Sequence, residues 1–446
     1  MKKISSFQKN FITNCFDYLK DCKRKNINIS TSPLCFFTIW AQSPGKLIVN
    51  KFLEKSYFYD LIYILKNIAS ISYNHDLEVQ PRKKEYNSKK NKIFISYSSK
   101  NNFDRHGNFF DYYFNVGNKK KRDCIFFLIS LDGYIPKNLK EDIFVLKKKD
   151  KGSLSLIYFL KKLYKLIIKN KFSLNKIKHY CWYEYDFANE VQRIFHESFE
   201  IKKIKKLLIN YENIPWQNLI INQIKNNDKV QTLGYLHCAP WPVQSDLIFK
   251  NVSLDKLYVS SQDQKNILYN YLGWNKKKIS VIPSLRFMQS SSSNLNGYIF
   301  PPYNLNKKNN FLQKFEFFLN NLSNNSLNTM KVRIHPLNKE SSIHLKFKND
   351  INNLLKKYKS KFTAKNKKIS IFFGSATGVC VQAMEEGTKI IHFPNDYLLD
   401  VFSNKIWSNI NTQKIFKDIY EYKLKNFKRT FFTNKEKNKF SKYVNF

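Results

Sequence analysis

The seven cysteines of the chain (15, 22, 35, 124, 181, 238 and 380) include no CxxC pair and no Cys/His ligand spacing. An odd number of them, several inside apolar runs, argues against a disulfide framework and against structural zinc. Long apolar runs are missing too. Stretches such as 125–131 and 371–373 are far shorter than the roughly 20 residues a bilayer-spanning helix needs. Residues 1–25 carry basic side chains but no uninterrupted apolar core, so no signal peptide is expected there. Arginine is scarce. Only eight of 77 basic residues are Arg, set against 34 acidic ones, for a formal net charge of +43. Such a charge ordinarily points to nucleic acid or an anionic membrane. Here Lys is dispersed along the whole chain, as in an AT-rich coding sequence that loads Lys onto solvated faces. No helix-turn-helix, zinc finger or RNP-like aromatic strand accompanies it, so no specific nucleic acid partner is expected. The rare Arg side chains, among them Arg105, Arg286 and Arg333, are the informative cations, because a planar guanidinium grips phosphate or carboxylate as Lys cannot.

What is present is ample material for large cores: 446 residues, 43% hydrophobic and 16% aromatic. Residues 1–90 read as a mostly helical extension, with helical periodicity at 4–20 and 52–71 and a polar linker or loop at 74–92. From there short strands at 92–97, 123–129, 142–146, 206–211, 230–235, 256–260 and 278–283 alternate with helical patterns at 154–169, 216–226 and 262–272. Strands alternating with helices predict an α/β fold with a parallel sheet covered on both faces. The polar run 289–294 divides a first unit, 91–288, from a second, 289–446, which ends in closing helices and a Lys-rich tail. The basic, amphipathic helix at 154–169 has two readings. It rests on an anionic membrane, or it is a core helix with Lys on its wet face.

The second unit holds two turns suited to phosphate. One is Lys331-Val332-Arg333-Ile334-His335-Pro336, a short strand ending in Arg, His and Pro. The other follows the strand Ile369-Ser370-Ile371-Phe372-Phe373 as Gly374-Ser375-Ala376-Thr377-Gly378 and runs into a helix. Unpaired N–H groups and partial positive charge at a helix start favour an anion there, although a Ser or Thr in such a turn also serves as an ordinary cap. In the first unit, Glu212 ends a strand just before Ile214-Pro215-Trp216-Gln217, and His237 ends the next beside Cys238. A carboxylate at the C-terminal end of a parallel strand faces the ligand crevice and can act as general base. Glu212 can equally cap the following helix; His237 is the rival candidate for the base, or orients an acceptor or binds a phosphate, although a lone His is often structural. Arg286, after Val281-Ile282-Pro283-Ser284-Leu285, is placed to neutralise a leaving group or to form a surface ion pair.

In order along the chain, Phe37-Thr38-Ile39-Trp40-Ala41-Gln42-Ser43-Pro44, Tyr211-Glu212-Asn213-Ile214-Pro215-Trp216-Gln217, Gly234-Tyr235-Leu236-His237 and Ile282-Pro283-Ser284-Leu285-Arg286-Phe287 resemble a family of bacterial surface-carbohydrate biosynthesis proteins. The His335-Pro336 turn with Ser375 and Thr377 is similar to bacterial sialyl- and Kdo-transferases. The resemblance implies two Rossmann-like domains facing a cleft (GT-B), with a nucleotide-sugar donor and a surface polysaccharide or lipid-linked glycan acceptor. It implies that His335, Ser375, Ala376 and Thr377 hold the donor phosphate; the position and rarity of Arg333 and Arg286 add them as assisting cations. Gln382 would sit on the ribose, where the family pattern has Glu, and Gln217 also replaces an expected Glu. No Asp-x-Asp motif lies at a suitable strand end, so no metal and no other cofactor is expected. The protein is expected to be cytoplasmic, at most peripheral to the inner membrane. A nucleotide-sugar epimerase of similar fold, a basic nucleic-acid-binding protein and a non-catalytic scaffold are the alternatives.

Overall fold

A computed structural model of the chain describes residues 1–35, 49–54, 56–71, 77–80, 90–120, 123–148, 156–226, 229–238, 241–249, 254–286, 295–305, 310–363, 367–375, 378–425, 444 and 446. The fold is α/β. Helix α1 (Lys2–Arg24) opens the chain and α2 (Tyr57–Ile71) follows. A first sheet is built from β1 (Leu77–Gln80), β2 (Lys92–Ser98), β3 (Cys124–Ser130), β4 (Ile143–Lys148), β5 (Lys206–Asn210), β6 (Gln231–Tyr235), β7 (Lys256–Val259) and β8 (Ile279–Val281). Helices α3 (Leu156–Lys169), α4 (Tyr183–Ser198), α5 (Pro215–Lys225) and α6 (Gln262–Asn270) connect its strands.

The spatial order is β1-β4-β3-β2-β5-β6-β7-β8, parallel throughout except for β1, which runs antiparallel to β4. Winding reverses between β2 and β5, and that reversal opens a crevice beyond their C-terminal ends. Both faces of the sheet are covered. Ile93 and Ile95 of β2 share one core with Phe11 of α1 and Phe195 of α4. Phe94 points the other way, with ring centroids 4.6 Å from Phe114 and 6.2 Å from Phe446 near the chain's end. Covering both faces is why these strands read as unbroken apolar runs rather than alternating ones. Each buried Phe contributes roughly 1.5–3 kcal/mol.

The second sheet comprises β9 (Tyr298–Phe300), β10 (Lys331–Val332), β11 (Ile369–Phe373), β12 (Lys389–Phe393), β13 (Ile410–Phe416) and β14 (Ile419–Leu424). Helices α7 (Phe311–Asn320), α8 (Ser342–Lys357) and α9 (Gly378–Glu385) intervene. The order is β10-β9-β11-β12-β14-β13, with the first four parallel and winding reversed between β9 and β11. Helix α1 ties the two sheets together. Gln8 Nε2 donates to the carbonyls of Leu398 (2.8 Å) and Val401 (2.7 Å), and the Tyr18 hydroxyl meets His179 Nε2 at 3.0 Å. Trp407 Nε1 donates to the Pro242 carbonyl at 2.9 Å, a second tie.

Two expectations need correction. The polar stretch 74–92 is not simply a linker, since Leu77–Gln80 pairs with β4 as an edge strand. The closing helices expected after 408 are instead the hairpin β13–β14. Its alternating buried and exposed side chains follow a period of two, and Asp418 turns it with φ +57. The aromatic stretch 37–44, the polar run 289–294, Ala376 and Thr377 lie outside the described residues. No helix among the described residues is long and apolar enough to cross a membrane.

Candidate functional site

Glu212 stands two residues past β5, at the reversal point of the first sheet. The chain turns there because Asn213 adopts a left-handed conformation (φ +58), which Asn tolerates better than most residues, and because Pro215 starts α5 with its φ already helical. The Tyr211 hydroxyl donates to Asn213 Oδ1 at 2.9 Å, and Asn213 Nδ2 donates to the Asp246 carbonyl. Gln217 fixes the turn from inside. Its Oε1 accepts from the Glu212 N–H at 2.8 Å, and its Nε2 donates to the Asn210 carbonyl at 2.6 Å. An ionised Glu could only accept, so the amide at this position is what the turn requires.

The Glu212 side chain is buried, at 6% exposure. Tyr97, near the end of β2, donates its hydroxyl to Glu212 Oε2 at 2.7 Å. Glu212 Oε1 lies 3.5 Å from His237 Nε2 and 3.6 Å from Cys238 Sγ, and those two atoms are 3.3 Å apart. Burial pushes the Glu212 carboxyl up to about 7, although the Tyr97 and Cys238 hydrogen bonds and the Arg286 charge pull the other way. Burial, then Arg286, hold His237 well below the ordinary imidazole value, so it is neutral and its contact with Glu212 is not an ion pair. Burial also raises the Cys238 thiol. Three donor atoms this close could hold a divalent cation with one position open.

Arg286 faces this cluster. Its guanidinium lies 4.9 Å over the Tyr113 ring, and the Tyr113 and His237 rings meet edge to face at 4.3 Å. Asp111, fully buried, sets the Tyr113 loop by accepting the N–H groups of Tyr113 (2.7 Å) and Phe114 (2.9 Å). Burial lifts the Asp111 carboxyl to about 6. In front lies a cavity of about 690 Å³ lined by Tyr97, Ser99, Tyr113 and Arg286, with Asn101, Asn102, Tyr112 and Leu131 forming the rest of its wall. A second cavity of about 320 Å³ shares Asn101, Asn102 and Tyr112 with it. Tyr97 therefore touches both the open space and the buried carboxyl.

The reversal point of the second sheet is built from different material. Gly374 has φ +85, and a Cβ there would come within 2.7 Å of Pro302 Cβ, so only glycine lets β11 turn against the chain leaving β9. Ser375 is buried behind it. Tyr303, next after Pro302, meets the exposed His335 ring edge to face at 5.1 Å. The loop is pinned by Asn338 Nδ2 donating to the Tyr303 carbonyl (2.8 Å) and by His344 Nε2 on the Pro302 carbonyl (3.1 Å). Partial burial, then Arg286 and His344, lower the His335 value. Arg286 thus acts electrostatically on both clusters.

The structure brings Glu212, His237 and Arg286 together, and sets His335 beside the chain that the Gly374–Ser375 turn packs on. Arg333 is exposed and leans back over the Tyr298 ring, 5.7 Å away, at the start of β9. Gln382 is half-buried within α9. Tyr97, Tyr113, Asp111 and Cys238 belong to the site and were not singled out from sequence. Tyr97 and Tyr113 lie roughly a hundred residues before Glu212, and only the strand order β2-β5-β6 reveals the neighbourhood. No protein-family model matches the chain, and no curated protein matches its sequence.

Proposed function

We propose that the protein is a cytoplasmic glycosyltransferase that moves a sugar from a nucleotide-sugar donor to a glycan or lipid-linked acceptor without a metal ion, its two sheet units forming the acceptor and donor lobes of a GT-B arrangement. One observation carries the reading. A carboxyl held near 7 sits at a sheet's reversal point and is joined through Tyr97 to an open cavity. The cavity wall of tyrosines, asparagines and a serine suits a sugar, and the adjoining cavity leaves room for a second ring.

In this mechanism the acceptor hydroxyl binds against the Tyr97 oxygen. Its oxygen forms a bond to the anomeric carbon as the bond from that carbon to the donor phosphate breaks, and the electron pair leaves with the phosphate. The acceptor proton passes to Tyr97 while the phenol's own proton moves to Glu212. Arg286, whose charge acts on His335, meets the phosphate together with it, so that fixed positive charge and a hydrogen-bond donor stabilise the leaving group. Ser375, with Ala376 and Thr377 next in the sequence, supplies the remaining phosphate contacts, with Arg333 and Gln382 in outer roles.

The test is a screen of CMP-, UDP-, GDP- and dTDP-sugars for thermal stabilisation of the full chain. A donor at about 100 times its Kd should stabilise by about 2.7 kcal/mol, and His335→Ala and Ser375→Ala should each lose about half of that or more at the same donor concentration. No stabilisation by any of the four, with the protein folded, would reject the reading. Sugar release from donor alone would favour the epimerase instead. The Glu212, His237 and Cys238 donor atoms favour a variant reading in which a divalent cation assists. Exhaustive dialysis against EDTA leaves transfer intact on the first reading and abolishes it on the second.

A further inference from the structure

More than half of the large apolar side chains exposed among the described residues belong to two neighbouring helices and the turn after them. On α2 they are Tyr57, Phe58, Leu61, Ile62 and Leu65. On α3 they are Leu156, Ile157, Leu160, Tyr164 and Ile168, followed by Phe172. Their spacing of three and four residues makes one outward row on each helix. These are not side chains left over from loose packing. Ile64 and Ile68 of α2 already share a buried cluster with Leu166 of α3, with Phe159, Leu163 and Ile167 packed against it. Each helix therefore has one apolar row turned inward and a second turned out.

The exposed charge on the two helices themselves has a single sign. Helix α3 has no acidic residue, and Lys161, Lys165 and Lys169 are exposed next to its outward row. Lys66 is exposed on α2 and Lys171 precedes Phe172. The only acid on α2, Asp60, is turned inward and paired with buried Lys178 at 3.1 Å. We propose that the outward rows of α2 and α3 form one docking surface for an anionic lipid bilayer, with the apolar side chains entering the headgroup boundary and the lysines meeting lipid phosphates. A second copy of the chain fits worse, because a two-fold contact would set these lysines against one another. The inference stands on this surface alone and does not depend on the transferase reading.

The experiment is co-sedimentation of the full-length protein with phosphatidylcholine vesicles, with and without phosphatidylglycerol. The comparison is between wild type, the double variant Ile157→Glu/Leu160→Glu, and the control Phe317→Glu, a change at an exposed apolar residue on α7. All three sites are exposed, so folding should be retained and is checked by circular dichroism. Wild type and control should bind the anionic vesicles, and the double variant should lose about tenfold or more in partitioning. Added salt should weaken binding without abolishing it. Equal binding by all three proteins would assign retention to dispersed lysine charge and overturn the proposal. Absence of binding to either vesicle would overturn it as well. So would self-association in sedimentation velocity that the double variant abolishes, which would give the face to a second copy.

Discussion

The two reversal points differ in how much water they admit. At the first, Glu212, His237 and Asp111 are buried, their titration is displaced mainly by desolvation, and their geometry is held by Gln217 and Asn213. At the second, His335 and Arg333 are exposed and the scaffold is backbone, namely Gly374 folded against Pro302. A proton acceptor gains from burial, because a raised carboxyl value brings it close to neutral pH. A phosphate contact gains from preorganised donors that reach solvent until a ligand arrives. On the proposed reading, chemistry belongs to the first point and ligand charge to the second, with Arg286 acting electrostatically on both.

The sharpest break in that comparison is Glu212→Gln. Transfer should fall about 10²–10⁴-fold, and the rise of wild-type rate with pH through about 7 should disappear. The stability change should run the other way. The folded carboxyl titrates above its unfolded value, so between the two the unfolded state ionises and the folded one does not. Wild type therefore loses stability as pH rises from about 4.5 to about 7. Glu212→Gln should be more stable than wild type at pH 8, by up to a few kcal/mol, and lose that margin at pH 4; denaturant unfolding at both values checks this.

Arg286→Ala should affect both points at once. A loss of about 10²–10³-fold in kcat is expected if it meets the leaving group. Both His237 and His335 should titrate higher in this variant by NMR, since the guanidinium holds each down. Gly374→Ala should touch the second point alone, destabilising the fold by about 1–3 kcal/mol through the positive φ and the Pro302 clash. His335→Ala should be the mildest, raising the donor KM about tenfold with little change in the acceptor KM.

Glu212 and His237 were legible in sequence because each ends an apolar strand ahead of a proline or aromatic turn, and such ends face a crevice in a parallel sheet. Gly374 and Ser375 were legible because an apolar strand stops there at a glycine, with small hydroxyl residues and a helix following. Tyr97 was not, because it looks like any strand aromatic until β2 and β5 are known to be neighbours. The role of Gln217 was hidden as well, since only the turn's geometry shows that one group must both donate and accept. The hairpin 410–424 was misread because its exposed alternate positions are filled largely by Lys and other polar residues, which blurs a period of two into the look of a tail.

The most direct test needs no substrate. The infrared absorption of the protonated Glu212 carboxyl, isolated as the difference between wild type and Glu212→Gln, can be followed against pH. The account predicts that this band persists through pH 6 and disappears with a midpoint near 7. A midpoint at the ordinary carboxylate value, about 4.3, would mean that Glu212 is solvated, and the assignment of the first reversal point as the seat of proton transfer would fail.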